Sequence, residues 1–165
     1  MKRTKNDIER LRAELLYDLD QIDLLLSSNE KAMERISAGA DDYLDFAALG
    51  YTIHNLYSLM ENACFRVAKF FENSLVENSW HKDLLDRMRL DIEGARPALL
   101  NEDTYQLLDD LRAFRHVFRN LYAKPIDKDK VMLIQSRVPK AVSGFRDGVS
   151  GFLQFLKDLK GAVDT

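Results

Sequence analysis

Apolar side chains return at three- and four-residue steps along most of this chain, which is the spacing of an α-helix. Only seven glycines and three prolines occur in 165 residues, so the chain has few helix breakers and no Gly/Ser-rich linker. No stretch keeps the two-residue alternation of a β-strand for long enough to build a sheet. We therefore predict an all-α fold, an up-and-down bundle of four to five helices formed by residues 1–165 as one domain.

Gaps in the apolar pattern set the limits of the first three predicted helices. The first helix is expected over residues 5–37, and the second runs from the capping pair Asp41-Asp42 to about Asn73. A shorter third helix is expected from its N-cap Ser79 to about Leu90.

The second half of the chain predicts two further helical segments. The fourth helix begins after Asn101 and is stopped by Lys124-Pro125. The last segment covers residues 127–160, and Pro139 predicts a kink or break in it. Small residues recur on this segment at a spacing that suits close helix packing better than a phosphate loop, namely Gly144, Gly148 and Gly151.

Composition limits the kinds of partner and site. The net charge of -3 excludes a uniformly basic surface, so any RNA contact has to come from a local patch. The first residues are polar and charged, and no apolar run resembles a signal peptide or a membrane span, so we expect a cytoplasmic protein. Cys64 is the single cysteine and lies in an apolar helical pattern, where a core position is expected. No cofactor or metal site is predicted.

The fourth helix carries the chain's candidate site. At a rotation of about 100° per residue, its apolar stripe consists of Leu107, Leu111 and Phe118. Beside the stripe lies a polar, cationic face formed by Arg112, Arg115, His116, Arg119 and Asn120. Guanidinium groups are bidentate donors to phosphate oxygens, and imidazole moves protons near neutral pH. This face is therefore suited to binding a phosphodiester and to acting on it. The alternative is that the arginines only cover apolar surface, as Asp109 three residues before Arg112 would allow.

The segment Phe114–Tyr122, FRHVFRNLY, resembles the signature of HEPN-domain ribonucleases, and most closely that of the HepT toxin branch. In that signature an arginine and a polar residue are followed, after three more residues, by a histidine, then by one residue and a tyrosine. Arg115, His116 and Tyr122 fit the arginine, the polar residue and the tyrosine, whereas Asn120 occupies the place of the catalytic histidine. The resemblance continues upstream in His54–Glu61, in Ser79–Leu85 and in Arg96-Pro97.

This resemblance implies a metal-independent endoribonuclease, the toxin of a toxin–antitoxin module. A homodimer would form one RNA-cleaving cleft from two motif helices, with Arg115, His116 and Asn120 at its centre and Arg112 and Arg119 binding phosphate. A small nucleotidyltransferase would neutralise the toxin by attaching AMP to Tyr122. Glu61 is expected to support the site by pairing with an arginine of the fourth helix, or else to be an exposed helix acid.

Asn120 changes the expected chemistry, because an amide has no usable ionisation near neutral pH. His116 lies one helical turn earlier and is the candidate for a displaced catalytic histidine. The other two histidines form no metal-ligand spacing: His54 belongs to the second helix, and His81 to the turn that starts the third.

Two alternatives remain open at the level of sequence. A catalytically silent HEPN protein would bind RNA or a nucleotide, or dock a nucleotidyltransferase, through the cationic helix. A purely structural helical adaptor would bind neither. Titration with labelled RNA distinguishes the adaptor from the other two.

Overall fold

The computed structural model of the chain describes residues 3–72, 80–121 and 124–163. These residues form six helices and no β-strand, which confirms the all-α prediction. The helices are α1 (Lys5–Ser37), α2 (Tyr43–Phe71), α3 (Trp80–Met88), α4 (Glu102–Arg119), α5 (Lys128–Gln135) and α6 (Val138–Ala162).

The four long helices pack as a ring in the order α1, α2, α4, α6, and neighbours run antiparallel. Arg3, at the start of α1, donates to the carbonyl oxygens of Phe70 (3.2 Å) and Phe71 (3.1 Å) at the end of α2. Lys160, near the end of α6, pairs with Glu9 near the start of α1 at 2.8 Å. The architecture is thus the predicted up-and-down bundle.

Local signals in the sequence fix most of the helix ends. Thr4 and Asp7 form a capping box at the start of α1, and Asp42 caps α2 by accepting from the backbone N–H of Leu44 at 2.8 Å. Gly39 has a φ of 105°, a conformation that side chains with a Cβ rarely adopt, and it forms the turn between these helices. The predicted limits of α1 are those observed. The Ser79 cap lies outside the described residues.

α4 ends at Arg119, earlier than the predicted stop at Lys124-Pro125. Asn120 is its C-cap, and its side-chain amide donates to the backbone carbonyl of His116 at 2.7 Å. A short polar side chain that satisfies a terminal carbonyl competes with continuation of the helix, which explains the early end.

Two helices replace the single last segment. Ser136 and Arg137 separate α5 from α6, and Pro139 lies in the first turn of α6, where a missing N–H costs nothing. The predicted break is confirmed. Gly144 packs against Thr104, and Gly148 packs against the carbonyl of Leu99, so closely that a Cβ would collide with either neighbour. Gly151 faces open space, so the packing interpretation is wrong at that position.

The buried core fills the space between the long helices and includes Cys64, as expected. On α4 the buried residues are Thr104, Tyr105, Leu108 and Leu111, whereas Phe114 and Phe118 are half-buried. The apolar face of α4 is therefore buried in the first half of the helix and partly exposed in the second half. Along the described parts of the chain, no helix combines the length and apolar character needed to cross a bilayer.

Candidate functional site

The cationic face of α4 lies along α2. The Nε of Arg115 donates to the Oγ of Ser58 at 3.1 Å, and this hydroxyl donates in turn to the backbone carbonyl of His54 at 2.9 Å. Because Nε is engaged by α2, the guanidinium group has a defined orientation, and among the described residues no acceptor is bonded to its terminal NH₂ groups.

His54 is a residue of α2 and lies beside the end of α4. Its ring centre is 6.0 Å from that of Phe118, and its Nδ1 is buried without a hydrogen-bond partner among the described residues. Burial lowers the pKa of this imidazole below its ordinary value of 6.5, and the charges of Arg115 and Arg119 lower it further. Both effects favour the neutral form of the imidazole.

Arg112 begins the cationic face one turn before His116. Its Nε donates to the carboxylate of Asp109 at 2.7 Å, so the local ion pair considered from the sequence is present. By contrast, Arg115 and Arg119 pair with no carboxylate in residues 3–72, 80–121 and 124–163, although most arginines of the described chain do. Two cations without a described carboxylate partner on one helix make a local positive surface in an acidic protein.

Glu61 faces the interior of the bundle and is almost completely buried. Its Oε2 accepts two hydrogen bonds, one from the Tyr57 hydroxyl and one from Nδ1 of His81, each at 2.7 Å. The expectation that an arginine of α4 pairs with Glu61 is therefore wrong, and so is the exposed-acid alternative. Burial strongly raises the pKa of Tyr57, the Glu61 carboxylate raises it further, and Arg112 opposes the shift. Arg112 is thus close enough to this network to act on it electrostatically.

The remaining predicted site residues lie at the exposed end of α4. His116, Arg119 and Asn120 are exposed, and the Asn120 amide is engaged by the carbonyl of His116. Tyr122 lies outside the described residues. Among the described side chains, no group of three His, Cys, Asp or Glu residues gathers in a way that would hold a metal ion.

A family model described as HepT-like protein matches residues 48–156, which is more than half of the chain. The chain belongs to the HepT-like protein family. No curated protein and no solved structure gives a significant match. The matched region of this HepT-like chain includes the described residues of α3, α4 and α5 and most of α2 and α6, so every contact of the site lies within it.

The fold of this HepT-like protein brings together some of the predicted residues and adds others. The charges of Arg115 and Arg119 lower the pKa of His54, and the charge of Arg112 opposes the rise in the pKa of Tyr57. Ser58 and Tyr57 were not predicted, although each is one turn from a residue that it contacts on α2. The role of His81 could not be read from the sequence, because its carboxylate partner is on another helix.

Proposed function

We propose that this HepT-like protein is the toxin of a toxin–antitoxin module and cleaves RNA, without a metal, along the cationic face of α4. The observation that carries the proposal is Arg115 itself. Its guanidinium group is oriented by Ser58 and has no carboxylate partner in the described part of the chain. A planar cation held in this way suits a phosphodiester.

The reaction class follows from the groups at hand. The 2′-hydroxyl of the RNA attacks the adjacent phosphorus, the bond to the 5′-oxygen breaks, and a cyclic phosphate and a 5′-hydroxyl result. Arg115 stabilises the charge on the phosphate, Arg112 and Arg119 bind neighbouring phosphates, and His116 takes part in the proton transfer. Asn120 contributes hydrogen bonds but no proton.

A second copy of the chain completes the cleft in this proposal. Leu44, Tyr51, Ser58 and Phe65 recur at seven-residue intervals on α2, so they lie on one side of that helix. Leu44 and Tyr51 are each 61% exposed, and Ser58 in the same row holds Arg115. An apolar row that adjoins the cationic face suits an isologous contact, which would bring two copies of the site together.

The antitoxin of the proposed module is a small nucleotidyltransferase acting in the same cytoplasm. Attachment of AMP to Tyr122, three residues after Arg119 in the sequence, would bring an anionic phosphate toward Arg115 and Arg119, which have no carboxylate partner in the described part of the chain. Charge and bulk would then both oppose RNA binding.

The Asn120 contact favours a second candidate function, that of a silent HEPN protein which binds RNA or nucleotide, or docks a nucleotidyltransferase. Asn120 stands at the place of the family's catalytic histidine, and its side-chain amide already donates to the backbone carbonyl of His116 in the last turn of α4.

One experiment distinguishes these functions. Purified protein is incubated with total RNA in the presence of a chelator, and the new RNA ends are mapped. Cyclic-phosphate ends that depend on Arg115 support the ribonuclease. Binding without cleavage favours the silent protein, and absence of both favours a structural adaptor.

A further inference from the structure

Three residues of α2, spaced one helical turn apart, form a row that contacts the second half of α4. The first, Gly50, lies against Phe118, because a Cβ at this glycine would be only 2.8 Å from Cε2 of that ring. The second, His54, has its ring centre 6.0 Å from that of Phe118. The third, Ser58, accepts a hydrogen bond from Nε of Arg115 at 3.1 Å. The imidazole of His54 therefore lies beside the cationic face of α4, one turn of α2 from the contact that holds Arg115.

The two ring nitrogens of His54 have different surroundings. Nδ1 is buried without a hydrogen-bond partner, whereas Nε2 is not buried and no described residue bonds to it. A neutral imidazole carries one N–H and one lone pair. A buried N–H without an acceptor is rarer in proteins than a buried acceptor without a donor, so the proton is expected on Nε2. The accessible nitrogen of His54 is then an N–H donor.

The surroundings of His54 oppose a second proton on the ring. Burial lowers the pKa of this imidazole, and the charges of Arg115 and Arg119 lower it further. A proton added to Nδ1 would also have no acceptor among the described residues. A phosphate oxygen is the complementary ligand, because it accepts hydrogen bonds and carries a negative charge that suits the two guanidinium groups.

We propose that Nε2–H of His54 donates a hydrogen bond to the same RNA phosphate that Arg115 binds; this inference rests on the proposed RNA-cleaving function. Arg115 supplies the positive charge from α4, and His54 supplies a neutral donor from α2. A single phosphate thus bridges the two helices at the place where Ser58 already joins them.

The competing role for His54 is that of a general base, which would replace the histidine absent at Asn120. A base needs a lone pair on the nitrogen that reaches the substrate. With the proton on Nε2, the only lone pair is on the buried Nδ1. His54 is therefore assigned to phosphate binding and not to proton transfer.

Three substitutions of His54 distinguish a donor from a base. The amide nitrogen of glutamine lies near the position of Nε2, and that of asparagine near the position of Nδ1, and neither amide takes up a proton near neutral pH. Leucine keeps much of the volume but has no donor. Binding is measured by fluorescence anisotropy with a short labelled RNA whose 2′-hydroxyl groups are all methylated, so that it cannot be cut.

Gln135→Met is the control for a general loss of stability. Gln135 is 7% exposed and forms a buried side-chain pair with Asn29 between α1 and α5. This variant therefore loses buried hydrogen bonds at another place in the bundle. Every variant is assayed at a temperature at which circular dichroism shows it to be folded.

His54→Leu and His54→Asn should each raise the Kd by about tenfold or more, because a hydrogen bond to a charged phosphate is lost. His54→Gln and Gln135→Met should bind nearly as tightly as wild type. Equal Kd values for wild type and folded His54→Leu would overturn the inference and leave the proposed function intact. A wild type that binds no RNA would refute the proposed function itself, and this inference with it.

Cleavage of unmethylated RNA tests the competing role directly. His54→Gln should retain most of the wild-type kcat, because it keeps the donor. A fall in kcat of about a hundredfold or more in His54→Gln, with KM unchanged, would identify a general base and overturn the inference.

Nuclear magnetic resonance of the protein labelled with ¹⁵N-histidine reads the position of the proton without any need for cleavage. The signals of His54 are those missing from His54→Gln. The proton should lie on Nε2 in the free protein, and this N–H signal should move when a dinucleotide with a methylated 2′-hydroxyl is added. The movement should be smaller in Arg115→Ala. A proton on Nδ1, or a bound dinucleotide that leaves the His54 signals unmoved, would overturn the inference.

Discussion

The hydroxyl of Ser58 accepts a hydrogen bond from Nε of Arg115 at 3.1 Å, and through this contact α2 sets the direction of a guanidinium group on α4. An arginine that merely covers apolar surface needs no such partner. The contact uses the one guanidinium nitrogen that is not part of the terminal fork, so both terminal groups can reach a single phosphate.

Removal of this hydroxyl should weaken RNA binding without removing the cation. We expect Ser58→Ala to raise the Kd for a labelled RNA several-fold, because Arg115 must then be ordered when RNA binds. Fluorescence anisotropy measures the change. Ser28→Ala is the matched control, since Ser28 also donates to the carbonyl four residues earlier but on α1. Equal affinities for Ser58→Ala and wild type would show that Arg115 needs no support.

Protonation of His54 should destabilise the fold at acidic pH. The folded-state pKa lies below the unfolded value near 6.5, so the unfolded chain binds more protons in the interval between them. The free energy of unfolding therefore rises with pH across this interval. The stabilising contribution of neutral His54 is lost as the pH falls through the same interval. Denaturant unfolding between pH 5 and pH 8 should show a shallower pH dependence in His54→Gln than in wild type. Parallel curves would contradict the assigned shift.

The apolar row on α2 predicts a homodimer. Light scattering at micromolar concentration should give twice the mass of one chain, and Tyr51→Glu should produce monomers, because it places a charge in the interface. Leu24→Glu is a suitable control, since Leu24 is 65% exposed and belongs to a different helix, α1. A monomeric wild type, unchanged by added RNA, would exclude the composite cleft.

Tyr122 is predicted to carry the regulatory modification. Incubation with a nucleotidyltransferase encoded beside this chain, together with ATP and magnesium, should add the mass of AMP to the peptide that contains Tyr122. Tyr122→Phe should abolish the addition, whereas Tyr51→Phe should not. Modification of another residue, or of none, would refute the assignment.

Helix limits could be predicted wherever the deciding contact is local. The capping box of Thr4 and Asp7, Gly39 and Pro139 each act within one turn, and the ends that they set were predicted. The end of α4 was predicted too late, because the Lys124-Pro125 stop is visible in the sequence while the bond from Asn120 to His116 is not.

In the candidate site, too, local features could be predicted from the sequence, whereas contacts between helices could not. The cationic face of α4 follows from helical periodicity, but the partner of Glu61 depends on where α3 packs against α2. An arginine of α4 was the simplest oppositely charged candidate, and the fold places His81 there instead. Ser58 is an ordinary polar residue whose importance appears only when the antiparallel pairing of α2 and α4 sets it beside Arg115.

The last prediction concerns the chemistry at the end of α4. Arg115→Ala and His116→Ala should each lower RNA cleavage by about a hundredfold or more, and Arg115→Lys should also be impaired, because an ammonium group cannot bind phosphate as a fork. Asn120→His should preserve or increase cleavage. It restores an ionisable group at the place of the family's histidine, and loss of the amide bond to the His116 carbonyl costs only about 1 kcal/mol of stability.

Arg10→Ala is the control for lost positive charge, since Arg10 lies on α1 with 69% of its side chain exposed. Chelator should leave the wild-type rate unchanged. If wild type is inert and Asn120→His cuts RNA, the chain is a silenced relative, because replacing the single amide of Asn120 is then enough to restore catalysis. If folded His116→Ala cuts at the wild-type rate, His116 is not a proton-transfer residue, and the displaced-histidine hypothesis is wrong.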